Sequence, residues 1–160
     1  MRWSPLIAPL VISLALTGCG SDEDAAEQRS SVPGGADPAA LEVIEAWSST
    51  LREGDVEGAA EFFALPSDAR NGPVAIHITE RADAVRFNER LPCGAVLERA
   101  VDHAGVVVAT FRLTERPGAG RCGAGTGELA RTAFRIAGGE IVEWLRVPTS
   151  TEPSPPADVV

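Results

Sequence analysis

The chain has 160 residues and a formal net charge of −9, with 23 acidic residues, 14 basic residues and no tyrosine. A protein this acidic binds polyanions poorly, so its composition argues against a nucleic-acid partner. The same charge argues against adhesion to anionic lipid, so attachment to a membrane would need another source.

The first 18 residues have the organisation of a secretory signal. Arg2 precedes an apolar run at residues 5–16, which is shorter than the roughly 20 residues that a spanning helix needs. The four residues Leu16-Thr17-Gly18-Cys19 resemble the bacterial lipobox. This resemblance implies that residues 1–18 are removed and that Cys19 is lipidated, which would anchor the protein to the outer face of the cell membrane. The alternative is an ordinary secreted protein in which Cys19 has no such role.

Two further segments differ in composition from the rest of the chain. Residues 19–37 are acidic and rich in small residues, and residues 148–160 are rich in proline. Neither can bury enough apolar surface to fold, so we predict a disordered acidic stalk and a disordered tail. Between them, residues 38–147 are long enough for one folded domain.

The cysteines fit an oxidising compartment outside the cytoplasm. With Cys19 lipidated, Cys93 and Cys122 remain, and we predict a disulfide between them. A pair of unrelated buried thiols is the alternative. Two thiols and two scattered histidines lack the spacing of metal ligands, so no metal site is predicted. Residues 118–123 match the glycine pattern of dinucleotide-binding loops, but Pro117 precedes them and a strand follows, so we predict no cofactor.

Three helices are predicted in the first half of the domain. Asp37, Asp55 and Thr79 are each placed to cap the start of one of them. The second helix is predicted to carry Phe63 on its apolar face and to end at Pro66. The first helix has an apolar stripe at helical spacing, formed by Leu41, Ile44, Trp47 and Leu51.

The rest of the domain is predicted to form strands. A hairpin is expected at Gly138-Gly139, which is a strong turn signal. Helices followed mainly by antiparallel strands indicate an α+β domain. The predicted strands are Val74–Ile78, Ala95–Val101, Val106–Thr114, Leu129–Ile136 and Ile141–Val147.

Two segments of the domain together carry a family resemblance. The first is Leu51-Arg52-Glu53-Gly54-Asp55-Val56 followed by Phe62-Phe63-Ala64, and the second is the closing hairpin from Phe134 to Trp144. In this order they resemble the nuclear-transport-factor-2-like (NTF2-like, or SnoaL-like) domains over residues 38–147. The resemblance implies a single α+β domain in which a cone-shaped, curved antiparallel sheet packs on about three N-terminal helices. It also implies that two copies could pair through the sheet as a homodimer, as members of the family often do.

The resemblance does not decide the activity, because the family includes isomerases, dehydratases, hydrolases, cyclases and proteins with no known catalysis. Its ketosteroid isomerases use a tyrosine, which this chain lacks. Its dehydratase-like members use a histidine and an aspartate in the pocket, and neither His77 nor His103 is suitably placed here.

Glu143 is the carboxylate that the predicted hairpin places among apolar neighbours. If the chain turns at Gly138-Gly139, Phe134 faces Glu143, and a desolvated carboxylate there could act as an acid or a base. The alternative is a half-exposed residue, since a register slip of one residue moves Glu143 to the other face. The same register places Arg131 and Arg146 opposite each other on that other face, either as a solvated surface or as a site for an anion.

We therefore expect a lipid-anchored domain that binds a small apolar ligand or an envelope partner without catalysis. Its pocket is predicted to be lined by Trp47, Phe111, Thr132, Phe134 and Glu143. The first alternative is an enzyme of the same fold, a hydrolase, dehydratase or cyclase with Glu143 as its base. The second alternative is a protein-interaction module that has no pocket.

Overall fold

The computed structural model describes residues 35–118 and 120–148. The predicted signal at residues 1–18, the lipidation site Cys19, and nearly all of the predicted stalk and tail lie outside the described residues. Among the residues that are described, no helix combines the length and the apolar character needed to cross a bilayer.

The three helices are α1 (Pro38–Arg52), α2 (Val56–Ala60) and α3 (Arg81–Glu89). The first two begin as predicted, because the Asp37 carboxylate accepts the Ala39 N–H at 3.2 Å and Asp55 accepts the Gly58 N–H at 2.7 Å.

The predicted cap of α3 is wrong by one residue, since Glu80 rather than Thr79 precedes the helix. The Asp83 carboxylate accepts the backbone N–H groups of Thr79 at 3.0 Å and Glu80 at 3.1 Å. These hydrogen bonds lower the pKa of Asp83 and fix the start of the helix.

Six strands form one curved, open sheet, and the α+β class predicted from the sequence is confirmed. Their order across the sheet is β2-β1-β6-β5-β4-β3. The pairing of β1 with β6 is parallel, and the other four pairings are antiparallel. The strands are β1 (Phe63–Asn71), β2 (Val74–Ile78), β3 (Gly94–His103), β4 (Val106–Thr114), β5 (Leu129–Ala137) and β6 (Glu140–Val147).

The prediction that the second helix carries Phe63 is wrong, because α2 ends at Ala60 and Phe63 begins strand β1. Arg81 stabilises this change of direction by donating to the backbone carbonyls of Ala60 and Phe63, the latter at 2.8 Å. Phe63 is fully buried opposite Ile141 of β6, and the Ile141 N–H donates to the Phe62 carbonyl at 2.8 Å. Pairing with β6 thus overrides the local helical pattern.

The closing hairpin turns at Gly138-Gly139 as predicted, and Ile136 pairs with Ile141. A β-bulge then places two residues of β6 against one of β5, so Arg135 rather than Phe134 pairs with Glu143. The predicted pairing of Phe134 with Glu143 is therefore wrong.

The bulge also reverses the faces of the residues that follow it on β6. Phe134 pairs with Trp144, Thr132 pairs with Arg146, and Arg131 pairs with Val147. The predicted juxtaposition of Arg131 and Arg146 is wrong for the same reason, since the extra residue separates them onto opposite faces.

The core lies between the helices and the inner face of the sheet. Trp47 of α1 is at its centre, with its ring 5.6 Å from that of Phe134 and 6.2 Å from that of Trp144. These contacts have the edge-to-face geometry that aromatic side chains favour. The buried aromatic side chains are Trp47, Phe63, Phe87, Phe111, Phe134 and Trp144.

Candidate functional site

A cavity of about 200 Å³ opens between α1 and the inner face of the sheet. Most of its wall is apolar, and aromatic rings from α1, β4 and β6 contribute to it. The lining residues are Trp47, Leu51, Asn71, Leu91, Pro92, Cys93, Ala95, Phe111, Leu113, Ala130, Thr132, Trp144 and Arg146.

The structure brings together three of the five residues that the sequence placed in a pocket. Trp47, Phe111 and Thr132 line the cavity. Phe134 is fully buried behind the wall, where its ring is 6.1 Å from that of Phe111. Phe134 therefore supports the wall without lining it.

Glu143 lies on the outer face of the sheet and does not line the cavity. Its carboxylate accepts hydrogen bonds from Arg135 Nε and Nη2, both at 3.2 Å, and 43% of its side chain is exposed. Exposed pairs of this kind contribute little to stability because solvent screens them. The expectation that Glu143 is a desolvated carboxylate among apolar neighbours is wrong, as the bulge moves it to the solvated face.

Three polar side chains meet at one border of the cavity. Thr132 and Arg146 are cross-strand partners, and both line it. Asn71 lies next to Arg146 on the parallel neighbour β1, one residue beyond the Arg70–Leu145 pair. Neither Asn71 nor Arg146 was predicted to line a pocket. The alternation of buried and exposed residues along β6 would have indicated Arg146, had the bulge been known.

Buried hydrogen bonds hold the α1 side of the cavity in place. Trp47 Nε1 donates to Asn88 Oδ1 at 3.3 Å, and Asn88 Nδ2 donates to the Val56 carbonyl at 3.4 Å. Arg116 in turn donates to the backbone carbonyls of Asn88 at 3.1 Å and Leu91 at 2.9 Å. Burial lowers the pKa of Arg116, and these carbonyls at the end of α3 offset part of that desolvation. The network fixes the orientation of the Trp47 ring.

A disulfide joins Cys93 and Cys122, and Cys93 contributes to the cavity wall. The backbone at Cys122 is also held by Glu115, whose carboxylate accepts hydrogen bonds from the N–H groups of Cys122 at 3.1 Å and Gly123 at 3.0 Å. It also accepts the Thr126 hydroxyl at 3.0 Å. These bonds lower the pKa of Glu115. The disulfide and Glu115 together fix the loop beside the cavity.

A second depression, of about 570 Å³, lies on the outer face between β1, β2 and β6. Its acidic side chains are paired, since Asp68 contacts His77 at 2.8 Å and Glu143 contacts Arg135, whereas Arg70 is exposed to solvent and makes no ion pair among the described residues. The Asp68 and His77 side chains are 71% and 62% exposed, so water solvates them. Nothing in this depression points to a ligand, whereas the inner cavity combines an apolar wall with a polar border.

Within the described ranges, no group of three or more His, Cys, Asp or Glu side chains is arranged to hold a metal ion. No protein-family model and no curated protein matches the sequence.

Solved structures do match the fold. A candidate ketosteroid isomerase from Kribbella flavida is 19% identical, with a TM-score of 0.52 over 73% of this chain and 83% of that protein. A candidate polyketide cyclase from Sinorhizobium meliloti is 12% identical, with a TM-score of 0.53 over 66% of this chain and 94% of that protein. An NTF2-like protein of unknown function from Cytophaga hutchinsonii is 9% identical, with a TM-score of 0.53 over 67% of this chain and 87% of that protein. At these identities the likeness concerns architecture, and the chain has the NTF2-like (SnoaL-like) fold.

Proposed function

We propose that this is a lipid-anchored, extracytoplasmic NTF2-like protein that binds a small and mainly apolar ligand in the inner cavity without transforming it. The observation that carries the proposal is the cavity of about 200 Å³ beside the aromatic core. A concave, mostly apolar site with a few polar groups is the usual form of a small-molecule site.

The size of the cavity limits the ligand to about one ring or a short branched chain. Typical ligand pockets measure roughly 300–1,000 Å³, whereas an engineered apolar cavity of about 150 Å³ binds benzene. A cavity of about 200 Å³ lies between these values and nearer the second. A sterol or a polyketide would not fit within it.

The absence of catalysis is proposed from the chemistry of the wall. The cavity-lining residues of the described chain include no carboxylate, imidazole or phenol. A general acid or base must lie within hydrogen-bond reach of the reacting atoms. Glu143, the base expected for an enzyme of this fold, is on the opposite face of the sheet, paired with Arg135.

The proposed location rests on the lipobox-like Leu16-Thr17-Gly18-Cys19 and is supported by the disulfide between Cys93 and Cys122. Disulfides persist in oxidising compartments and are rare in the cytoplasm.

Tryptophan fluorescence provides the test of ligand binding. The chain has three tryptophans, of which Trp3 is in the predicted signal and both others line the cavity. The probe is cyclohexylmethanol, and the protein is the mature chain with Cys19→Ser, which needs no detergent. We expect the probe to change the emission in a saturable manner.

Ala130→Leu should abolish this change, because the larger side chain fills the cavity. The matched control is Ala137→Leu, at the exposed end of the same strand, which should leave the change intact. An unchanged wild-type emission, or an equal response in Ala130→Leu, would overturn the proposal.

A further inference from the structure

Arg146 places a positive charge in the wall of the cavity. It lies on the same face of β6 as the buried Trp144, is half-buried, and lines the cavity next to its cross-strand partner Thr132. Within the described residues its guanidinium donates one hydrogen bond, from Nη1 to the backbone carbonyl of Arg131 at 3.3 Å. This single long bond leaves most of the guanidinium donors without an acceptor.

Among the described residues, no carboxylate lies within ion-pair distance of Arg146. The cavity wall contains neither aspartate nor glutamate, and within the described residues Arg146 makes no ion pair. Four arginines of the domain pair with carboxylates, and the other described arginines, like Arg146, make no ion pair. Arg146 differs from all of them in its position, since no other described arginine lines this cavity.

Trp144, which also lines the cavity, carries a second donor without an acceptor among the described residues. Trp144 Nε1 is buried and has no hydrogen-bond partner among the described residues. A buried donor without a partner costs about 1–3 kcal/mol, so such groups are uncommon unless something satisfies them. Both residues belong to β6 and line the cavity, but the Trp144 Nε1 atom itself is enclosed by protein, so Arg146 carries the donors that a ligand can reach.

We propose that the ligand of this cavity is a small amphipathic monocarboxylate, held by Arg146 at its charged end and by the aromatic wall at its apolar end. This inference rests on the proposed function and names the chemical class of its ligand. The planar guanidinium matches a carboxylate in a two-point hydrogen-bonded pair. Thr132 and Asn71 provide further polar groups at the same border. One arginine in a mainly apolar wall suits a single negative charge better than a doubly charged phosphate.

The test compares two probes of matched size, cyclohexanecarboxylate and cyclohexylmethanol, by fluorescence titration of the mature chain with Cys19→Ser. We expect the wild-type cavity to bind the carboxylate about 10- to 100-fold more tightly, as for hydrogen bonds to charged groups. In Arg146→Gln this preference should fall to about threefold or less, because the side chain keeps its polarity but loses its charge. Arg146→Lys should retain part of the preference.

The control is Arg131→Gln, which removes an arginine from the outer face of the neighbouring strand and should keep the wild-type preference. Urea unfolding of each variant establishes that it is folded. Equal binding of the two probes to the wild type, or a preference that survives in Arg146→Gln, would overturn the carboxylate assignment and leave the proposed function standing. Failure of both probes to bind the wild type would overturn the proposed function and this inference with it.

Discussion

At the scale of single residues, Glu115 shows how one exposed carboxylate organises a loop. It accepts hydrogen bonds from the N–H groups of Cys122 and Gly123 and from the Thr126 hydroxyl. These bonds favour the charged form and lower the pKa of Glu115 in the folded protein. A lowered folded-state pKa stabilises the loop at pH values above the unfolded pKa. That contribution is lost as the pH falls through the folded pKa.

We predict that acid loosens this loop before it unfolds the domain. The hydrogen-exchange protection of the Cys122 and Gly123 amides, corrected for intrinsic rates, should fall as the pH drops below the ordinary range of a glutamate. Glu115→Gln should show low protection at every pH, whereas the control Glu128→Gln in the same loop should behave as the wild type. Protection that stays constant with falling pH in the wild type would contradict this role of Glu115.

At the scale of secondary structure, local pattern predicted most elements but missed β1. The strand buries Ser67 and Ala69 between exposed Asp68 and Arg70, so it alternates correctly but with side chains too small to give a hydrophobic signal. It forms because β2 and β6 pair with it on both sides. These are long-range contacts that a local pattern does not contain.

The disulfide links the start of β3 covalently to the loop between β4 and β5. It joins Cys93, just before β3, to Cys122 across a sequence separation of 29 residues. A loop of this length corresponds to about 3–4 kcal/mol in the chain-entropy model. We predict that the double variant Cys93→Ser/Cys122→Ser loses about that much free energy of unfolding in urea, and that reduction of the wild type has the same effect. A loss below about 1 kcal/mol in both cases would show that the loop is held mainly by other contacts.

At the scale of the whole molecule, the order of predicted helices and strands was enough for the α+β class, and the resemblance to NTF2-like domains implied the curved sheet and its pocket. Of the residues expected in that pocket, Trp47, Phe111 and Thr132 line the cavity. The polar border was not predictable. A single extra residue in β6 exchanges the faces of Glu143 and Arg146, and the bulged segment Ile141–Glu143 contains no glycine or proline to mark it. The chemistry expected of the cavity changes accordingly from a base to a cation.

The proposed anchoring makes a separate prediction for the whole protein. Metabolic labelling with radioactive palmitate should label the wild type, because a lipoprotein carries its acyl chains on the first mature residue. Cys19→Ala should remove the label, and the nearby control Ser21→Ala should keep it. Two or more acyl chains would hold the protein firmly on the membrane. An unlabelled wild type, or label that survives in Cys19→Ala, would contradict the anchoring.

Native mass spectrometry tests the central claim, a ligand-binding cavity, most directly. The mature chain with Cys19→Ser would be purified without detergent from the organism that makes it, alongside the same chain with Ala130→Leu or Ala137→Leu. We predict one small adduct on the Cys19→Ser chain and on its Ala137→Leu variant. The Ala130→Leu variant, whose cavity is filled, should carry none. The mass of the polypeptide alone in all three, or the same adduct on Ala130→Leu, would contradict the claim that this cavity is a binding site.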